Sequence, residues 1–197
     1  MPTHACVIGT RHVRAQISFS SISLTSAPNW RKSGKLLTCS GAGANVCNED
    51  AHKQYLCKDR TTGELIDSAS LGGLLPAFAG IPKARAQDIA RTIERWSKAV
   101  KFIVPSHDPA DPRFEQKRYW RGPAWLVTNY MIADGLTAIG ETEVADHIIR
   151  SSLGLITEAG FAEYYDPITG EACGGDRFTW TAAMVIEFLD ILSGTKP

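Results

Sequence analysis

No run of about 18 apolar residues occurs in the chain, which leaves no candidate for a transmembrane helix. Cys-x-x-Cys is also absent. The five cysteines (Cys6, Cys39, Cys47, Cys57 and Cys173) are odd in number and widely spaced. That spacing excludes an ordinary zinc knuckle and favours reduced thiols in a cytosolic protein over a disulfide framework. No glycine-rich loop follows a predicted strand; Gly72-Gly73 and Gly174-Gly175 stand alone, so a phosphate cradle is excluded. His107 and His147 lack metal-ligating neighbours at useful spacing, so neither a metal nor a cofactor is expected. Excess charge is missing too. The 21 Lys and Arg are balanced by 21 Asp and Glu, which removes the reason to expect nucleic acid or an anionic membrane as partner. The expected setting is cytoplasmic.

One further absence is local. Residues 1–48 contain no acid, the first being Glu49, yet they hold Arg11, Arg14, Arg31, Lys32 and Lys35. The stretch is rich in Ser and Thr and shows neither helical nor strand periodicity. Three readings stay open: an organellar transit peptide, a segment foreign to the domain through a shifted frame or misplaced start, or a basic arm. All three put the boundary at the same place, with residues 1–45 irregular and residues 46–197 the folded domain. At 197 residues the chain has room for a substantial core without disulfides or metals.

From residue 46 onward, helices alternate with long polar loops. Asp59 to Glu64 reads as a turn between two short extended pieces. Leu71 to Phe78 reads as a buried helix of small and apolar residues, ended by Gly80-Ile81-Pro82. Ala86, Ile89, Ala90, Ile93 and Trp96 predict an amphipathic helix over 84–98. Lys101 to Pro105 should be extended, and the prolines of Ser106 to Pro112 forbid helix there. Further helices are expected from Gly122-Pro123 to about Ile139, from Glu143 to Leu155, and from Thr179 to Leu192. In the last, Trp180, Ala183, Met184, Ile186, Phe188 and Leu189 should be mostly buried. About half of the domain should be helical, with little sheet.

Two loops could carry chemistry. Arg118 to Trp125 packs Tyr119, Trp120 and Trp125 around Arg121 and Gly122. Flat aromatic faces stack on sugar C–H faces, and Tyr, Trp and Arg bind hydroxyls. The same aromatics could equally be packing residues. Gly160 to Glu171 sets Glu163 just past a glycine among aromatics, where a carboxylate can act as a general base on water. It could equally be a surface residue. Asp166 reads as a turn residue and Glu171 as solvated. His107 is a candidate pocket residue, and His147 should be exposed.

These loops carry a resemblance. Arg118-Tyr119-Trp120-Arg121-Gly122-Pro123-Ala124-Trp125, followed by Asn129, resembles the Tyr-Trp-Arg-Gly-Pro-x-Trp signature of the mannosylglycerate hydrolase-like glycosidases. That family lies close to glycoside hydrolase family 63 and the trehalase-like six-hairpin glycosidases. Gly160 to Glu171, Gly174-Gly175 and Phe178 to Ala183 resemble it too, as do Asp59 to Gly63 and Leu71 to Pro82. The resemblance implies an all-α fold, the C-terminal half of an (α/α)6 toroid with an irregular N-terminal segment. It implies inverting hydrolysis of an α-glucoside or α-mannoside, with Glu163 as catalytic base. It implies carbohydrate binding by Tyr119, Trp120, Arg121, Trp125 and Trp180.

Two departures qualify this. The family's general acid is an aspartate in a motif that has no counterpart here, and residues 46–197 supply about half of a toroid's helices. Two functions therefore stand: a glycosidase domain that needs a further portion, or a non-catalytic remnant or helical module that binds sugar. A half-toroid would expose apolar helix faces and so could associate through them.

Overall fold

A computed structural model of the chain describes residues 46–49, 53–57, 59 and 61–194. The expectations for residues 1–45 lie outside these. Val46–Glu49 (β1) and Gln54–Cys57 (β2) form an antiparallel pair in which Val46 faces Cys57 and Glu49 faces Gln54. Lys53 closes the turn with a φ of 54°. Asp59 Oδ1 then accepts from the amides of Thr61 and Thr62, at 2.7 and 2.8 Å, fixing the expected turn.

Leu71 to Phe78 is not one helix. It forms two 3₁₀ turns, Leu71–Gly73 and Leu75–Ala79. Two glycines weaken an α-helix here, and Pro76 has no N–H to donate. Gly73 also lies so close to the Tyr55 carbonyl that a Cβ would sit 2.0 Å from its oxygen.

Four α-helices follow among the described residues: Lys83–Ser97 (α1), Leu126–Ile139 (α2), Thr142–Ala159 (α3) and Thr179–Ser193 (α4). α1 buries Ala86, Ile89, Ala90, Ile93 and Trp96, the stripe its spacing predicts. Each fully buried Ile contributes roughly 1.5–3 kcal/mol. α2 and α3 form an antiparallel hairpin turned at Gly140, whose φ of 94° suits glycine. α2 packs on α3, α4 and the second 3₁₀ turn, and so lies at the centre of the core.

α2 begins later than its Gly-Pro signal suggests, and the reason is tertiary. The Gly122 amide donates to Ser106 Oγ at 2.9 Å. Ala124 exchanges hydrogen bonds with Tyr165 at 2.9 and 3.0 Å. Both commitments hold the backbone extended until Leu126. Asn129, inside α2, ties this region to its surroundings. Its Oδ1 accepts from Val104 N at 3.1 Å, and its Nδ2 donates to Ile103 O and Ser152 Oγ at 2.9 Å each.

α4 corrects another expectation. Phe188 is fully buried, but Ile186 is 62% exposed, Leu189, Ala183 and Trp180 are also exposed, and Met184 is half-buried. Ile186, Leu189 and Leu192 form an exposed apolar surface on α4.

Candidate active site

Backbone register brings the two loops together. Ala124 pairs antiparallel with Tyr165, which places Trp125 beside Tyr164 one step along. Their rings stack at 4.9 Å between centroids. Ala124 and Tyr165 turn into the core, where both are fully buried. The Tyr165 hydroxyl is fixed there, donating to Gly160 O at 2.6 Å and accepting from Ala162 N at 2.9 Å.

Trp120 lies over Trp125 with ring planes 11° apart and centroids 4.5 Å apart. Tyr119 meets Trp120, Trp125 and Tyr164 edge-on, at 5.8, 4.7 and 5.3 Å. The Trp125 indole N–H donates to Tyr119 O at 2.9 Å and sets that turn. The result is an aromatic wall of two stacked tryptophans and Tyr164, crossed by Tyr119. Edge-to-face and offset contacts of this kind add about 0.5–1.5 kcal/mol per pair beyond burial.

Glu163 stands at this wall, half-buried, and accepts from the Tyr119 hydroxyl at 2.7 Å. The interaction pushes the Tyr119 phenol up to about 12, chiefly through the hydrogen bond to Glu163 and then through burial. Tyr119 is therefore a proton donor to the carboxylate throughout the neutral range. Beyond Glu163, Tyr164–Tyr165 (β3) pairs with Ala172–Cys173 (β4) to form a short hairpin. A Lys117–Glu171 ion pair clasps that hairpin to the aromatic loop. Glu171 is exposed, as expected of a solvated residue, but it is not idle.

The other candidates fall elsewhere or act otherwise. Trp125 is only 2% exposed, so it is the floor of the wall; Trp120, 46% exposed, offers the open ring. Arg121 points its guanidinium to Glu115 Oε1 at 2.8 Å. Trp180 leans on Phe178 at 6.3 Å, at the start of α4. Asp166 is a turn residue, its Oδ1 accepting from Ile168 N and Thr169 N at 2.8 and 3.2 Å. His107 is buried, and its Nε2 lies 3.3 Å from Asp111 Oδ2. Asp108 and Asp111 are paired with Arg95 at 2.8 Å and Arg113 at 2.6 Å. No group of three His, Cys, Asp or Glu among the described residues could hold a metal.

Tyr164 and Gly174 lie in the motifs that carry the resemblance, but their place at the site was not read from the sequence: nothing local separates a wall residue from a core one, and the approach of Gly174 to Glu163 appears only in the fold.

Comparison with known proteins places the chain in a family. The family described as the mannosylglycerate hydrolase MGH1-like glycoside hydrolase domain matches residues 40–181. A mannosylglycerate hydrolase of Selaginella moellendorffii is 46% identical over 136 residues, covering 68% of this chain and 28% of that protein. The crystal structure of a GH63 mannosylglycerate hydrolase from Thermus thermophilus, in complex with Tris and D-glycerate, superposes with a TM-score of 0.69. That match has 39% identity and covers 72% of this chain and 34% of the other. Neutral trehalase from Saccharomyces cerevisiae shares the fold at 17% identity, with a TM-score of 0.57 over 75% of this chain and 28% of its own. The chain thus spans about a third of the length of the relatives it matches. Its helices form part of an (α/α)6 toroid, and the chain belongs to the mannosylglycerate hydrolase MGH1-like family of glycoside hydrolase domains.

Proposed function

We propose that this chain forms the base-bearing portion of an inverting glycosidase acting on α-mannosides or α-glucosides of a small hydroxy acid such as glycerate. The observation that carries this reading is the Glu163 carboxylate, held by Tyr119 at 2.7 Å against an aromatic wall. Glu163 removes a proton from a water as the water oxygen attacks the anomeric carbon. A carboxylic acid on the opposite side gives its proton to the leaving oxygen, the two groups standing roughly 6.5–9.5 Å apart. Asp108 and Asp111 are held by Arg95 and Arg113. The acid is therefore assigned to a carboxyl group other than these two. Trp120 offers its open face to the sugar ring, with Tyr119 and Trp125 shaping its support. Arg121, paired with Glu115, and Trp180, against Phe178, are given no substrate contact in this reading.

A non-catalytic sugar-binding module is the second reading, favoured by the exposed Trp120 face. Hydrolysis of a panel of α-mannosides and α-glucosides, glycerate derivatives included, separates the two. Wild-type turnover reduced about 10²–10⁴-fold in Glu163→Gln supports the base. Turnover equal in both proteins removes Glu163 from that role. Sugar binding without turnover, abolished by Trp120→Ala, supports the module.

A further inference from the structure

Glu163 is gripped from two sides by groups outside its own loop turn. On one side is the β3–β4 hairpin. Its register runs Tyr164 against Cys173; just past that pair Glu163 N donates to Gly175 O at 3.0 Å, and Gly174 lies against the Glu163 side chain. Gly174 has a φ of 75°, in the left-handed region. A Cβ there would lie 2.4 Å from Glu163 Oε2, 2.7 Å from Glu163 Cβ and 3.0 Å from Tyr164 Cε1. The glutamate side chain thus lies directly over a position that only glycine leaves open.

On the other side, the Tyr119 hydroxyl reaches Oε1 at 2.7 Å. Tyr119 is itself held by three ring contacts and by the Trp125 indole on its carbonyl. A free glutamate samples many rotamers, and one so enclosed samples few.

The geometry points to a clamp in which Tyr119 and Gly174 are positioning residues for the Glu163 carboxylate, the Tyr119 hydroxyl being committed to that carboxylate rather than to a sugar hydroxyl. The clamp deepens, and as a catalytic device rests on, the reading of Glu163 as base. A base must present its oxygen to water within a narrow geometry, and a displacement of about 1 Å can cost about 10²-fold in rate. The raised Tyr119 phenol is consistent with a hydroxyl that keeps its proton on the carboxylate side.

The test uses the full chain and three variants, Tyr119→Phe, Gly174→Ala and Glu163→Gln, assayed on the α-mannoside and α-glucoside panel. Tyr119→Phe should lower kcat roughly 10- to 100-fold, the worth of a hydrogen bond to a charged group, with KM held within about twofold. Gly174→Ala should lower kcat on the order of 100-fold. A raised KM with unchanged kcat in Tyr119→Phe overturns the clamp and makes the hydroxyl a sugar ligand. Unchanged kcat in both variants, with Glu163→Gln inactive, overturns the clamp and leaves the base.

Where wild type shows no turnover, or Glu163→Gln matches it, the base reading fails and the clamp is decided spectroscopically. Ring-labelled tyrosine is observed by NMR at about pH 11, a unit above an ordinary phenol. The signal lost in Tyr119→Phe should remain a phenol in wild type and become a phenolate in Glu163→Gln and Gly174→Ala. A wild-type Tyr119 signal that ionises near pH 10 overturns the clamp.

Discussion

His107 shows how a single buried residue couples stability to pH. It is 2% exposed in the loop before the aromatic wall. Burial lowers its pKa from the ordinary value, outweighing the nearby carboxylates of Asp111 and Asp108, which favour the charged form, while Arg113 adds to the lowering. The folded state therefore binds fewer protons at His107 than the unfolded state does. Its contribution is fully present above the unfolded pKa, about 6.5, and is lost as pH falls below that value toward the folded one. Asp111 acts lower on the scale. Its hydrogen bonds to Arg113 hold its carboxyl well below the usual range, so its contribution fades only under strongly acid conditions. Urea midpoints should thus fall between pH 7 and pH 5, and His107→Gln should flatten that slope even if it lowers the midpoint throughout. A parallel slope in the variant would remove His107 as the cause. His107 shows the limit of local reading: its residue type was visible, but its burial and the geometry of its charged neighbours were not.

At the scale of elements, the helices followed their periodicity closely. The apolar stripes placed helices at 84–98, 143–155 and 179–192, against Lys83–Ser97, Thr142–Ala159 and Thr179–Ser193 in the structure. The two departures both involve glycine and proline. Leu71–Gly73 and Leu75–Ala79 tighten into 3₁₀ turns, and Gly122-Pro123 serves a backbone bridge rather than a helix start. Packing between elements also depends on glycine. Gly135 of α2 lies against the second 3₁₀ turn, where a Cβ would sit 2.4 Å from Ala77 C and 2.5 Å from Ala77 O. The obstacle is backbone, which cannot swing aside as a side chain can. Gly135→Ala should therefore destabilise the fold by about 1–3 kcal/mol, despite alanine's better helix propensity. Chemical denaturation monitored by circular dichroism checks this, and a gain in stability would mean that α2 and the turn can separate at little cost.

At the scale of the whole molecule, α4 is the informative helix. It is apolar nearly all round, carrying Trp180, Met184, Val185, Ile186, Phe188, Leu189, Ile191 and Leu192. A helix of that composition is expected to be covered on several sides. Here Phe188 turns to the core while Ile186, Leu189 and Leu192 face outward. Burying two such side chains between molecules would contribute roughly 3–6 kcal/mol before the cost of association. That gain does not by itself exceed the cost of association, so any concentration-dependent self-association of the chain is expected to run through this face. Ile186→Lys combined with Leu189→Glu should weaken that association at least about tenfold, read by sedimentation velocity. Identical sedimentation of wild type and variant would show that this face is not the contact.

By itself the sequence determined the helical class, the limits of α1 and α4, the start of α3, and the two loops in which the candidate chemistry lies. These features are local: apolar spacing selects a helix face, and glycine, proline and aspartate mark turns over a few residues. Only the tertiary structure decided which residues of those loops meet. The Ala124–Tyr165 bridge joins segments 41 positions apart and thereby stacks Trp125 on Tyr164. The same bridge brings Tyr119 to Glu163, while Arg121 is drawn to Glu115 and Trp180 to Phe178. Backbone hydrogen bonds between distant segments have no sequence period. They set register all the same, and register decides which side chains share a site.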